Sequence, residues 1–161
     1  MCGLYAVLHF LQTAEGWTGT PPGETLWYVL DACRHHGWLN PYLLTEGFED
    51  FQLKAILDLQ IANYRLEYKT YFLTDVARSI KCSSARSLIR RVVDKGGAVI
   101  TGPKGRSHWF LVTSSDGKAV VYDSGAQDDE PYPLEDVARI SVDDSGVVIL
   151  PHPRDVFQVE I

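Results

Sequence analysis

Residues 108–124 read HWFLVTSSDGKAVVYDS. Two short runs of β-branched and aromatic residues flank Asp116-Gly117, and Asp-Gly between such runs is the strongest local signal for a two-residue hairpin. A turn centred on that pair sets Phe110 opposite Asp123. His108 then stands two residues along on the same face, diagonal to Asp123. Diagonal neighbours in an antiparallel pair have Cα atoms about 7–8 Å apart, within reach of an imidazole and a carboxylate. A carboxylate so placed fixes the tautomer of the ring and stabilises its charged form.

Outward from this ribbon the same grammar continues. AVITG (98–102) and GVVILP (146–151) are further short β-branched runs bounded by turn residues, so the back half reads as an antiparallel sheet. The front half has helical period. Leu4, Val7, Leu8 and Leu11 form one apolar face, with Gly16 as the stop. A second helix is predicted over GETLWYVLDACRHHG, closed by Gly37, and a third from about Asp50 to Leu59. SSARSLIRRVVDKGG reads as a helix with serine at its start, Leu88, Ile89, Val92 and Val93 inside, and glycine past its end. YRLEYKTYFLT (64–74) alternates and reads as a strand. The loop TGTPPGE joins the first two helices. The resulting class is α+β: a helical front half packed on an antiparallel back half, with a cleft between them.

The chain has 161 residues, which suits one domain over 1–161 that buries about two-thirds of its unfolded surface. A net charge of −6 and the lack of a basic cluster argue against nucleic acid as a partner; the short IRR is the polar side of a helix. No apolar run reaches the roughly 18 residues a membrane span needs, and LYAVLHFL reads as a folded helix rather than a signal peptide. Three cysteines fit a reducing, cytoplasmic compartment better than a disulfide scaffold. No CxxC or HxxxH pair marks a metal site, and no cofactor motif occurs. Cys33 and Cys82 read as buried small apolar residues. His35 and His36 sit near a helix end, His9 on the surface or a cleft wall, and Tyr5 and Trp17 are candidates for the cleft lining.

A thiol nucleophile must be a thiolate near neutral pH, which unpaired N–H groups at a helix amino terminus promote. Cys2 stands where the first helix should begin. Gly3 beside it has no side chain to obstruct a substrate approaching the sulfur. The nucleophile also needs an imidazole held by a third group, and the ribbon carries one.

CGLYAVLHFL at a helix start, then GGAVITG, SHWFLV, a turn and VVYDSG resembles the papain-like cysteine peptidase superfamily, most nearly its compact bacterial branch that contains bacteriocin-leader peptidases. The resemblance implies a papain-like fold with Cys2 as nucleophile, His108 as general base and acid, and Asp123 as its orienter. It implies a peptide or protein substrate, and for a leader-processing domain or a toxin delivered into another cell, an inhibitor or immunity protein as partner. Deamidases and transglutaminases would use identical residues. One departure stands out: the family places a glutamine a few residues before the cysteine to complete the oxyanion hole. Only Met1 precedes Cys2 here, and Gln12 lies on the wrong side. Either the chain belongs to a longer protein or another residue supplies that donor; losing one donor ordinarily costs about 10²–10³ in rate.

Two other functions compete. MCG is also how class II glutamine amidotransferases begin, with an amino-terminal cysteine once Met1 is removed, but that fold should continue with a strand where LYAVLHFLQ has helical period. The missing glutamine suits a catalytically idle papain-like module that binds a peptide in its cleft.

Overall fold

The computed structural model describes residues 2–15, 23–40, 47–102, 108–124, 130–137 and 146–151. Among them the chain runs α1 (Cys2–Glu15), α2 (Gly23–His35), α3 (Asp50–Asn63), β1 (Tyr68–Phe72), α4 (Leu73–Ser79), α5 (Ala85–Asp94), β2 (Ala98–Thr101), β3 (Phe110–Ser115), β4 (Lys118–Tyr122), β5 (Tyr132–Pro133), a single 3-10 turn (Leu134–Asp136) and β6 (Gly146–Pro151). The six strands form one antiparallel sheet in the order β1-β6-β2-β3-β4-β5. The protein is therefore a mixed α+β fold.

The hairpin forms as its turn residues dictate. Asp116 and Gly117 both have positive φ, 51° and 77°, the backbone of a type I′ turn whose twist matches the flanking strands. Leu111 pairs with Tyr122 and Ser115 with Lys118, so Phe110 and Asp123 come next in register, as the turn requires.

The helices form where periodicity and caps coincide. Leu4, Val7, Leu8 and Leu11 are all buried. In α2, Gly37 takes φ 72°, and the Trp38 N–H reaches the Cys33 carbonyl at 2.9 Å, which closes the helix. Glu49 and Gln52 exchange a capping box at the start of α3. The Ser84 hydroxyl accepts from the Ser87 N–H at 3.3 Å and opens α5. Gly16 and residues 18–22 of the first loop lie outside the described residues.

The arrangement of layers differs from a helical half facing a sheet half. α1, α2 and α3 pack on one face of the sheet, around Ala98, Ile100, Trp109, Leu111, Val147 and Ile149. α4 and α5 pack on the other, around Val99, Phe110, Val112, Val121, Val148 and Leu150. The sheet is thus the middle of three layers, and β1, from the front half of the chain, forms one of its edges. Two readings shift with it. The strand expected over 64–74 is confined to Tyr68–Phe72. At Leu73 the chain turns into α4, whose Leu73, Val76 and Ala77 have helical spacing and are buried. α3 also runs on to Asn63, because Ile61 still faces the core.

A valine at position 117 would have to hold a left-handed backbone, at a cost of about 1–2 kcal/mol. Gly117→Val is therefore expected to lower the unfolding free energy by that amount while leaving the strands paired; the comparison is urea unfolding followed by circular dichroism.

Candidate active site

Three strand ends meet at one rim of the sheet: the end of β2, the approach to β3, and the exit from β4. His108 lies two residues before β3, and Asp123 is the first residue after β4. The His108 Nε2 stands 2.7 Å from Asp123 Oδ1, and their side chains retain 29% and 14% of their exposure. An ionised carboxylate can only accept, so this bond requires the proton on Nε2 and leaves Nδ1 as the basic nitrogen of a neutral ring. The diagonal contact foreseen from the hairpin is present.

The backbone beneath the histidine is closely packed. A Cβ on Gly102 would fall 1.8 Å from the His108 carbonyl oxygen, so only glycine lets β2 end this close to the approach to β3. His108 also shares a side of the ribbon with Phe110, their rings 6.4 Å apart.

Tyr132 completes the cluster, and no reading of the sequence had singled it out. β5 sets it opposite Val121, and its hydroxyl donates to Asp123 Oδ2 at 3.0 Å. Burial, then the Asp123 charge and the hydrogen bond to it, and lastly the Asp136 charge push the phenol up to about 12. It therefore remains a neutral donor at any physiological pH. A strand of two residues carries no periodicity, so the only signal was the PYP triplet, whose prolines restrict the tyrosine and its neighbours to extended backbone.

Cys2 is the first residue of α1 and is half-buried against the core on the α1–α3 face. The N–H groups of a helix's first turn have no acceptor within the helix and can face a developing negative charge. Gly3 does something other than clear a path for substrate. It is buried, and a Cβ there would lie 2.9 Å from both Phe48 and Leu53. Phe48 in turn accepts, through its carbonyl, the buried indole N–H of Trp109 at 2.9 Å. The start of α1 and the residue beside His108 are thus docked on the same phenylalanine.

The structure joins His108 to Asp123; among the described residues no hydrogen bond joins the Cys2 sulfur to the His108 ring. The pleat puts Trp109 on the α1 side and Phe110 on the α5 side. His108 and Asp123 stand just beyond the strand ends. His108 keeps to the Phe110 side of the ribbon, and Tyr132, which is bonded to Asp123, packs with the α5 cluster, whereas Cys2 packs with the α1–α3 cluster.

Other sequence candidates sort by environment. Cys33 is fully buried, and desolvation pushes its thiol up against the lowering effect of a backbone hydrogen bond, as suits an inert core residue. Cys82, expected to be buried, is only half so, with its sulfur 3.4 Å from the Ser84 carbonyl. His9 lies against Tyr122, ring centroids 5.4 Å apart, and Tyr5 is 49% exposed on the same helix. His35 and His36 are exposed near the end of α2. Trp17 lies outside the described residues. Among the described residues no cluster of three or more histidine, cysteine or acidic side chains could hold a metal, and no helix is long and apolar enough to cross a membrane.

Comparison with protein-family models, curated proteins and solved structures finds no match to this chain. What the site can do follows from its own geometry.

The raised Tyr132 phenol has a consequence for stability. Its folded value lies above the value of about 10 for an unfolded tyrosine, so folding favours the protonated form. That contribution is complete below pH 10 and is lost as pH rises from 10 towards 12. The stability difference between the wild type and Tyr132→Phe should therefore shrink over that window and be flat between pH 7 and 9. Urea midpoints measured across the range check it.

Proposed function

We propose that the chain is a papain-like cysteine peptidase, or a closely related acyl-transfer or deamidating enzyme, with Cys2 as nucleophile, His108 as base and acid, and Asp123 as orienter. The supporting observation is the 2.7 Å bond from the His108 Nε2 to Asp123, which leaves Nδ1 to take a thiol proton. Docking of both Gly3 and Trp109 on Phe48 ties the first turn of α1 to the residue next to His108.

In the proposed reaction Nδ1 accepts the Cys2 proton and the thiolate attacks an amide carbonyl. A C–S bond forms, and the π pair moves onto oxygen, towards the N–H groups at the start of α1. Collapse of the tetrahedral intermediate breaks the C–N bond, and the imidazolium returns its proton to the leaving amine. Water or an amine then attacks the thioester while His108 takes the incoming proton, and the Cys2 thiolate leaves. The Trp109 indole N–H is committed to the Phe48 carbonyl, so it does not supply the second oxyanion donor that the missing glutamine would have given.

The amidotransferase reading is weakened, since α1 is helical from Cys2 onward where that fold calls for a strand. The idle peptide-binding module keeps one observation in its favour: the sulfur and the imidazole are not in hydrogen-bond contact. On the peptidase reading the partners are a peptide or protein substrate and, for a toxin, an immunity protein; a reducing compartment is where a free Cys2 thiol would persist.

The test is the rate of alkylation by iodoacetamide at neutral pH, resolved by peptide mapping. His108→Ala is expected to slow modification of Cys2 by at least tenfold while leaving Cys82 unchanged, and both His108→Ala and Cys2→Ala should abolish release of products from a peptide library. A Cys2 rate untouched by loss of the imidazole would overturn the assignment; peptide binding without turnover that survives Cys2→Ala would favour the idle module.

A further inference from the structure

We propose that Tyr132 is a positioning residue for the His108–Asp123 pair: by occupying Asp123 Oδ2 it holds Oδ1 on the imidazole Nε2 and so keeps the ring in the one tautomer that leaves Nδ1 basic. The geometric part stands on the fold alone, whereas its consequence for catalysis rests on the cysteine-nucleophile reading above.

A carboxylate held by a single bond can rotate about its Cβ–Cγ axis, exchange its oxygens and tilt away from a ring. Two donors on different oxygens remove that freedom. Here they arrive from two different neighbours of β4, His108 from the β3 side and Tyr132 from the β5 side, at 2.7 Å and 3.0 Å. The tyrosine is in turn held from several directions. Its backbone pairs with Val121, and Leu134, two residues on, is fully buried in the core beneath α5. Between the buried leucine and the end of the 3-10 turn, Glu135 is bonded to Arg90 of α5 through its carboxylate, and its carbonyl lies 3.5 Å from an Arg86 nitrogen. The backbone hydrogen bond of Glu135 and then that arginine hold its carboxyl below the ordinary range, so the clamp remains ionised. α5 therefore sets where Tyr132 can stand, and Tyr132 sets how Asp123 is turned.

Among the described residues, the charged and titratable groups that act on the Tyr132 phenol are Asp123 at the exit of β4 and Asp136 in the 3-10 turn, with His108 beyond Asp123. Both acidic groups favour the protonated phenol. The hydroxyl consequently donates and does not compete with the imidazole for the carboxylate. Tyr71 offers an internal contrast: its hydroxyl oxygen is also buried, yet among the described residues it has no hydrogen-bond partner.

The experiment is nitrogen-15 NMR of the His108 ring, which reads the tautomer without reference to Cys2, run beside alkylation of Cys2. In the wild type at pH 8 the ring is expected to be a single Nε2–H tautomer. Tyr132→Phe should give a mixture of tautomers and slow Cys2 alkylation about ten- to a hundredfold, the factor that a hydrogen bond to a charged group represents. Tyr71→Phe should change neither readout. An unchanged tautomer in folded Tyr132→Phe overturns the proposal, even where His108→Ala confirms the base. A shifted tautomer with a Cys2 rate indifferent to both changes upholds the positioning role and overturns the nucleophile reading instead. Should Tyr132→Phe fail to fold, the wild type still decides: its Tyr132 hydroxyl proton is expected as a slowly exchanging resonance, and a phenol that exchanges as fast as the exposed tyrosines overturns the proposal.

Discussion

Register between β3 and β4 is the constraint on which the rest depends. A shift of one residue would send every side chain of β4 to the opposite face, taking Val121 out of the α5 core and Asp123 away from His108. Two features prevent it. The left-handed pair Asp116-Gly117 fixes where the turn falls, and the inner strands fix what lies on each face. Phe110, Val112 and Val121 are at most 1% exposed beneath α5, while Leu111 is fully buried beneath α1. β3 is also paired on its other side to β2, in a register that sets Thr101 opposite Phe110. A slip would have to break both ladders and both cores, so these together hold the position of the imidazole relative to the carboxylate.

Phe48 does for the first helix what the turn does for the ribbon. Its ring lies where Gly3 has no side chain, and its carbonyl takes the Trp109 indole, so one residue fixes α1 against the approach to β3. A buried carbonyl without its donor costs about 1–3 kcal/mol, which makes this link more than incidental packing. The same link bears on the chemistry. Cys2 is half-buried at the helix start, in contact with the core but open to solvent, whereas Cys33 is sealed and its thiol raised. Of these two thiols in the α1–α3 core, only Cys2 is accessible.

Much of this was legible in the sequence because it is local. The hairpin follows from two turn residues, the buried face of α1 from four leucines and valines, and α5 from its serine cap and an amphipathic pattern. The His108–Asp123 contact follows from the hairpin register. The three-layer arrangement was less visible, although a sign of it was present: AVI and VVIL are unbroken apolar runs with every residue buried, as expected for strands covered on both faces rather than one. Gly3 was misread because its packing partner lies 45 residues away in sequence, where no periodicity links them. Tyr132 was missed for the same reason. Its strand is two residues long, and its place depends on the burial of Leu134 and on arginines of α5.

The choice of tyrosine at that place is itself informative. A carboxylate that serves an imidazole must be oriented without being neutralised, because its charge is what stabilises the ring once the ring has taken a proton. An arginine bonded to Oδ2 would orient Asp123 firmly, but its own positive charge would offset the carboxylate and disfavour the imidazolium. A neutral phenol orients and adds no charge. The environment keeps it neutral, since burial and the two neighbouring carboxylates all oppose its ionisation. Arg86 and Arg90 act one step further out, on Glu135, where they fix the backbone that carries Tyr132.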